Sequence, residues 1–199
     1  FWLQTISNIF QAPVLAGLED AEDVDNTREH YSAAIYFTPL SDGNDFTAER
    51  YAKRILVPMA EYIPFSFCAE LAASYGIQSS FTCGKKPMVA KAGEVPFAVS
   101  ICYEETFGYL MRESRQQGAQ LFVNLTSDVW FPNSLLPYQH FEHSKLRTVE
   151  NGAPLVRACN TGITCSVDSF GRMVSILENE NKEHEWVSDA LLTEVPLYS

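Results

Sequence analysis

The sequence has no Cys-x-x-Cys pair, no glycine-rich phosphate loop, no block of Lys and Arg, and no long uncharged apolar run. Each absence excludes something. Five cysteines, at 68, 83, 102, 159 and 165, are an odd number without metal-ligand spacing. That argues against a zinc site and against a disulfide framework, with a single Cys68–Cys83 bridge left open. No metal and no cofactor is expected. A net charge of −11 without a basic block disfavours nucleic acid, whose binding depends on Lys and Arg at phosphates. It equally disfavours simple electrostatic adhesion to an anionic membrane. No run reaches the roughly 18–20 apolar residues of a membrane span, and no signal peptide is visible. The chain opens at Phe1, inside an apolar, helix-like segment, and reads as a piece of something longer. What is present is an apolar content of 46% and an aromatic content of 13%, which argue for a folded globule. The length of 199 residues suits one domain with a sizeable core.

Periodicity predicts a helix over 1–11 and a short strand over 13–18. The acidic stretch 19–30 reads as a solvated loop. Strands over 32–38 and 49–53, joined across Ser41-Asp42-Gly43-Asn44, predict a hairpin. In 55–65, Pro58 and Pro64 block a long helix and a central strand. A helix is expected over 67–76, then a loop with some extended structure to 94. Next come a strand over 96–102, a helix over 106–117 stopped by Gly118, and a strand over 121–125. A loop follows over 127–133, then a helix over 136–151 with Gly152 past its end. Strands over 155–160 and 163–167 pair across Thr161-Gly162, and another follows over 173–177. Residues 186–195 suit helix or strand equally. Strand–helix alternation in the middle predicts an α/β sheet with helix crossovers. The last strands form either a second sheet or antiparallel edges.

One stretch stands out: Ala98-Val99-Ser100-Ile101-Cys102-Tyr103-Glu104-Glu105. An apolar strand ends abruptly in a cysteine. Cys102 is either a small buried hydrophobe or a nucleophile delivered to the rim of a sheet. Sites in α/β folds gather at strand carboxyl ends, and Lys53, Glu61 and the 127–133 loop fall beside such ends. Glu61 is either an exposed loop carboxylate or a buried one that needs a partner. A lysine lowers a thiol pKa, and a carboxylate accepts its proton. The Lys53 ammonium and the Tyr103 N–H are donors suited to an oxyanion. His140 and His143, at i, i+3, lack a third ligand and read as a surface or core pair. Asn124-Leu125-Thr126 matches a glycosylation acceptor but lies in a buried strand.

Four ordered blocks carry a resemblance over most of 13–175. They are Tyr51-Ala52-Lys53-Arg54-Ile55-Leu56-Val57-Pro58-Met59-Ala60-Glu61-Tyr62-Ile63-Pro64, Ile101-Cys102-Tyr103-Glu104, Ser127-Asp128-Val129-Trp130-Phe131 with Pro137, Gln139-His140-Phe141, Arg147 and Glu150, and Arg157-Ala158-Cys159-Asn160-Thr161-Gly162-Ile163. The chain resembles the carbon–nitrogen hydrolase (nitrilase) superfamily, and within it the membrane-bound apolipoprotein N-acyltransferase branch. The resemblance implies an α/β fold, the four-layer α/β/β/α sandwich, as one incomplete domain over 1–199, truncated at its amino end and without the transmembrane parts. It implies Glu–Lys–Cys chemistry, with Cys102 as nucleophile, Lys53 stabilising the oxyanion and Glu61 as second glutamate. Tyr103 and Glu104 would shape the site, and Trp130 would line it. The implied reaction passes an acyl chain from a phospholipid, through a cysteine thioester, to the α-amino group of a diacylglyceryl apolipoprotein. The implied location is a bacterial inner membrane, with the catalytic domain facing the periplasm. The general-base glutamate is expected upstream of Phe1, so this piece alone should not activate its thiol. Ala60 and Pro132 stand where the branch has glycine. The competing expectations are a soluble nitrilase-type amidase and a catalytically inactive binding domain.

Overall fold

The acidic stretch expected to be a loop is a β-hairpin. The computed structural model describes residues 2–40, 48–65, 67, 81–129 and 134–197. The chain divides into two units, Phe1–Lys86 and Pro87–Ser199. In the first, β1 (Val14–Val24) and β2 (Thr27–Phe37) pair antiparallel along their whole lengths. Between them, Asp25 and Asn26 have φ of 48° and 65°. Two left-handed residues are what a type I′ turn needs, and Asn and Asp tolerate that conformation. Three of the charges that suggested a loop, Glu19, Asp20 and Glu22, are instead paired on the sheet. Arg50 of β3 (Ala48–Ala52) reaches Asp20 at 2.8 Å and Glu22 at 2.9 Å. Because the strand order is β1-β2-β3, the side chain crosses the middle strand. Its guanidinium lies 4.4 Å from the Tyr31 ring centroid on the way. The expected amino-terminal helix is α1 (Trp2–Phe10), tied down by Gln4 Nε2 to the Thr38 carbonyl at 2.8 Å. The 41–44 turn, the helix expected over 67–76, Cys68, Trp130 and Pro132 lie outside the described residues.

In the second unit, β4 (Val89–Ala92), β5 (Val95–Ile101), β6 (Leu121–Thr126), β7 (Leu155–Cys159), β8 (Cys165–Val167) and β9 (Met173–Ile176) form one sheet in that order. β5, β6 and β7 run parallel, and the flanking pairs are antiparallel. The last strands are therefore edges of the same sheet. Parallel neighbours need crossovers, supplied by α2 (Gly108–Gln116) and α3 (Leu136–Asn151). Pro137 sits in the first turn of α3 and Gly152, at φ 59°, closes it in the left-handed conformation that favours glycine. Ala98, Phe122 and Leu155 align in register across β5, β6 and β7. They pack with Met111, Ala119 and Ala153. Burying a side chain the size of Phe122 or Leu155 contributes about 1.5–3 kcal/mol. The helix expected from 106 begins later, because a 3₁₀ turn over Cys102–Thr106 intervenes. Residues 186–195 form neither helix nor strand. Thr193 pins this tail to the sheet edge through Ser166 Oγ at 2.7 Å and Ser175 Oγ at 3.1 Å.

The β8–β9 turn depends on one carboxylate. Asp168 Oδ1 accepts the N–H groups of Phe170 and Arg172, both at 2.9 Å, and Oδ2 accepts Arg172 Nε at 2.7 Å. Burial pushes this carboxyl up, but these hydrogen bonds and the Arg172 charge outweigh it and hold the group below its usual range. A lowered folded value means stability that is present above the unfolded value, near pH 3.9, and lost as pH falls through the folded one. Asp168→Ala is expected to cost about 1–3 kcal/mol at pH 7. The gap in urea midpoints between variant and parent should narrow as pH falls from 7 through and below the usual carboxylate range, and a gap that does not change with pH would contradict the assignment.

Candidate active site

In the first unit, Lys53 follows directly on β3 and is 1% exposed. Its N–H donates to the Ser32 carbonyl at 2.8 Å, and its carbonyl accepts from Gly84 N–H at 2.7 Å. Glycine is needed at 84, since a Cβ there would overlap the Ala52 carbonyl. With its backbone fixed on both sides, Lys53 sends Nζ to both oxygens of Glu61, at 2.7 and 2.8 Å. Glu61 Oε2 also accepts the Val57 N–H at 2.7 Å. A buried ammonium needs an anion, and Glu61, left open between an exposed and a paired carboxylate, is the paired one. The proline-bounded segment is irregular, as expected, with Pro58 bridged to Tyr62 and Met59 at φ 61°. The left-handed residue is Met59, so Ala60 sits in the glycine's place without that strain.

In the second unit, Cys102 is the first residue beyond β5 and has φ 52°. A non-glycine residue there carries about 1–3 kcal/mol of strain. A left-handed residue on a strand-to-helix turn is the backbone shape of a nucleophile elbow, which stands a side chain up at the rim of a sheet. The sulfur lies 3.9 Å from the Ser127 carbonyl. The unit's other cysteines are different. Burial pushes the thiols of Cys159 and Cys165 up to about 12, only partly offset by Arg157, so both stay protonated and inert at neutral pH. Tyr103 is 41% exposed, its ring edge-on to Phe107 at 5.0 Å between centroids. Glu104 is fully buried, and its Oε2 accepts the Ile101 N–H at 2.7 Å, folding the turn back onto its strand.

Beneath this turn lies a buried ionic cluster that the sequence reading did not assemble. Arg157 on β7 pairs with Glu105, and its Nη1 donates to Ser144 Oγ at 2.9 Å. Its Nη2 lies 3.3 Å from Asp128 Oδ2 and 3.0 Å from His140 Nδ1. His140 Nδ1 is also 3.0 Å from Asp128 Oδ1, and Nε2 is 3.0 Å from Glu105 Oε1. Burial pushes the Asp128 carboxyl up, but the His140 bond and the charges of His140 and Arg157 hold it below the usual range. Burial also opposes the Arg157 charge, yet Glu105 and its neighbours keep it above its ordinary value. Space is tight here, since a Cβ on Gly162 would overlap Asp128 Oδ2. Among the described residues, no group of three or more His, Cys, Asp or Glu is arranged to hold a metal. His140 is a core residue and His143 is exposed. Asn124 is fully buried. A signal existed in the strands, where Ser100, Asn124 and Arg157 fall in one register row of otherwise apolar sequence.

Parallel strands with helical crossovers, and a cysteine on a strained turn past the carboxyl end of the first of them, define an α/β domain built to present a side chain at the rim of its sheet. The chain belongs to the carbon–nitrogen hydrolase family, whose model matches residues 2–194. It is 40% identical over 204 residues to the apolipoprotein N-acyltransferase of Chlamydia muridarum, covering 100% of this chain and 37% of that protein. The chain thus spans a little over a third of the length of that relative. The carbon–nitrogen hydrolase of Helicobacter pylori G27 superposes with a TM-score of 0.63 at 14% identity, over 87% of this chain and 60% of that one. The amidase of Nesterenkonia sp. AN1, solved with butyramide, gives 0.58 at 20% identity, over 88% and 61%. These two likenesses show the carbon–nitrogen hydrolase fold.

Proposed function

We propose that this chain is catalytic-domain sequence of an apolipoprotein N-acyltransferase. It would move an acyl chain from a phospholipid to the α-amino group of a diacylglyceryl-cysteine at a lipoprotein's amino terminus. The observation that carries this is Cys102, held at φ 52° just beyond a parallel strand, in a chain 40% identical to a protein of that name. Lys53, Glu61 and Cys102 serve one reaction, with Tyr103 and Glu104 shaping its site. The Cys102 thiolate attacks the acyl ester carbonyl, and its C–O bond breaks as the lysophospholipid leaves with a proton. The resulting thioester is attacked by the free amine, the C–S bond breaks, and the amine's proton is returned to the base. Charge on the carbonyl oxygen peaks in each tetrahedral intermediate. The Lys53 ammonium and the Tyr103 N–H are the donors for it, and Glu61 keeps the lysine oriented. A general base takes the thiol proton and delivers it to the departing lysophospholipid. No helix among the described residues is long and apolar enough to cross a membrane. Placement at the periplasmic face of an inner membrane would come from segments outside this chain.

An amidase would share the first half-reaction and use water in the second. The likeness to the Nesterenkonia amidase, at 20% identity, speaks to fold alone. The test uses the full-length protein, a phospholipid with a tagged acyl chain in detergent micelles, and a dipalmitoylglyceryl-cysteinyl peptide. Tagged amide on the peptide, with release of lysophospholipid, is the expected result. Butyramide hydrolysis without peptide acylation would establish the amidase reading in its place, and no turnover of either would favour a binding domain.

A further inference from the structure

The Cys102 carbonyl and the Tyr103 N–H belong to one peptide plane. A trans peptide points the two in opposite directions, so whatever holds the carbonyl also aims the N–H. Two side chains hold it. Asn124 Nδ2 donates to the Cys102 carbonyl at 3.0 Å, and His140 Nε2 lies 3.2 Å from it. Both residues are buried and both are anchored from behind. Asn124 Nδ2 also donates to Ser100 Oγ at 3.0 Å. On the His140 ring, Asp128 Oδ1 and Arg157 Nη2 each lie 3.0 Å from Nδ1. The Nε2 neighbours, Glu105 Oε1 and the Cys102 carbonyl, are both acceptors. Nε2 therefore carries a hydrogen, whether the ring is neutral or charged, and shares it between the two acceptors. A left-handed cysteine persists only where its surroundings over-determine it, and these two donors do so.

We infer that His140, together with Asn124, is a positioning residue that draws the Cys102 carbonyl inward and so turns the Tyr103 N–H toward the developing oxyanion. His140 touches no substrate; it acts through the peptide. The buried cluster of Glu105, Asp128 and Arg157 serves to hold one imidazole nitrogen in place. The inference rests on Cys102 being the nucleophile of the proposed acyl transfer.

The test compares His140→Phe, His140→Gln and Asn124→Ala in the full-length enzyme, with melting curves to establish folding and Cys102→Ala as control. Loss of an oxyanion donor costs about 10²–10³-fold in kcat, and a loosened one less. His140→Phe and Asn124→Ala are expected to lower kcat by about 10–100-fold with KM changed less than about twofold. His140→Gln, which keeps a donor near the Nε2 position, should recover most of the loss. Parent-like kcat in folded His140→Phe and Asn124→Ala would overturn the inference, as would a His140→Gln that falls as far as His140→Phe. Should His140→Phe not fold, Asn124→Ala decides, since it removes the other donor and leaves the charged cluster whole. The two levels stay separable. Acyl transfer surviving in Cys102→Ala defeats the underlying reading, while its loss there beside normal kcat in the other variants defeats only the role of His140 and Asn124.

Discussion

Cys102→Ala in the full-length enzyme is expected to lose acyl transfer by about ten-thousand-fold or more, as removal of a covalent nucleophile does. No acyl thioester should be trapped on the variant, whereas the parent should show one that hydroxylamine releases. Stability should move little, because the side chain is only half-buried and alanine is as strained as cysteine at φ 52°. Cys102→Gly sharpens the prediction. Glycine adopts a positive φ without penalty, so the variant should be as inactive as Cys102→Ala yet more stable by about 1 kcal/mol. A turn kept strained at the expense of stability is expected where the strain serves chemistry. Equal melting midpoints for the alanine and glycine variants would mean the turn is not strained. Retained transfer in either would remove Cys102 from the reaction. Cys159 and Cys165 offer no substitute nucleophile, as burial keeps both protonated.

The middle of the chain was legible because local and tertiary signals agree there. β5 and β6 are apolar runs of strand length, and α3 spans the predicted residues between a proline in its first turn and a left-handed glycine. The hairpin of β1 and β2 was half missed, since acidic residues usually mark solvent-exposed loops. Nothing local announces that Arg50, more than twenty residues later, will pair with Asp20 and Glu22 across an intervening strand. The same limit applies at the site. Cys102, Lys53 and Glu61 were visible as residue types in motifs. The left-handed turn at Cys102 was not, because a cysteine carries no signature of positive φ. Arg157 read as part of a motif, while Glu105 lies fifty-two positions away and pairs with it only once β5, β6 and β7 align.

Arg157→Met is the substitution expected to destabilise the fold most. The guanidinium is fully buried and meets Glu105, Asp128, Ser144 and His140. Methionine fills much of its volume, so the loss is mainly electrostatic. Glu105 and Asp128 would be left as buried carboxylates with only His140 between them. Breaking a buried pair from one side typically costs about 3–5 kcal/mol, a large part of the roughly 5–15 kcal/mol that holds a domain folded. Adding Glu105→Gln removes the stranded charge, and the double variant should regain a substantial share of the lost stability. That partial recovery separates a charge effect from a packing effect. The pH dependence gives a second check. In the parent, Asp128 sits below its usual range, so its contribution is present above about pH 4 and lost as pH falls through the folded value. Without Arg157, burial, which pushes this carboxyl up, gains weight, and the variant protonates Asp128 more readily. The stability gap between parent and Arg157→Met should therefore narrow from pH 7 toward pH 4, read as urea midpoints. A gap independent of pH, together with no recovery in the double variant, would assign the role of Arg157 to packing alone.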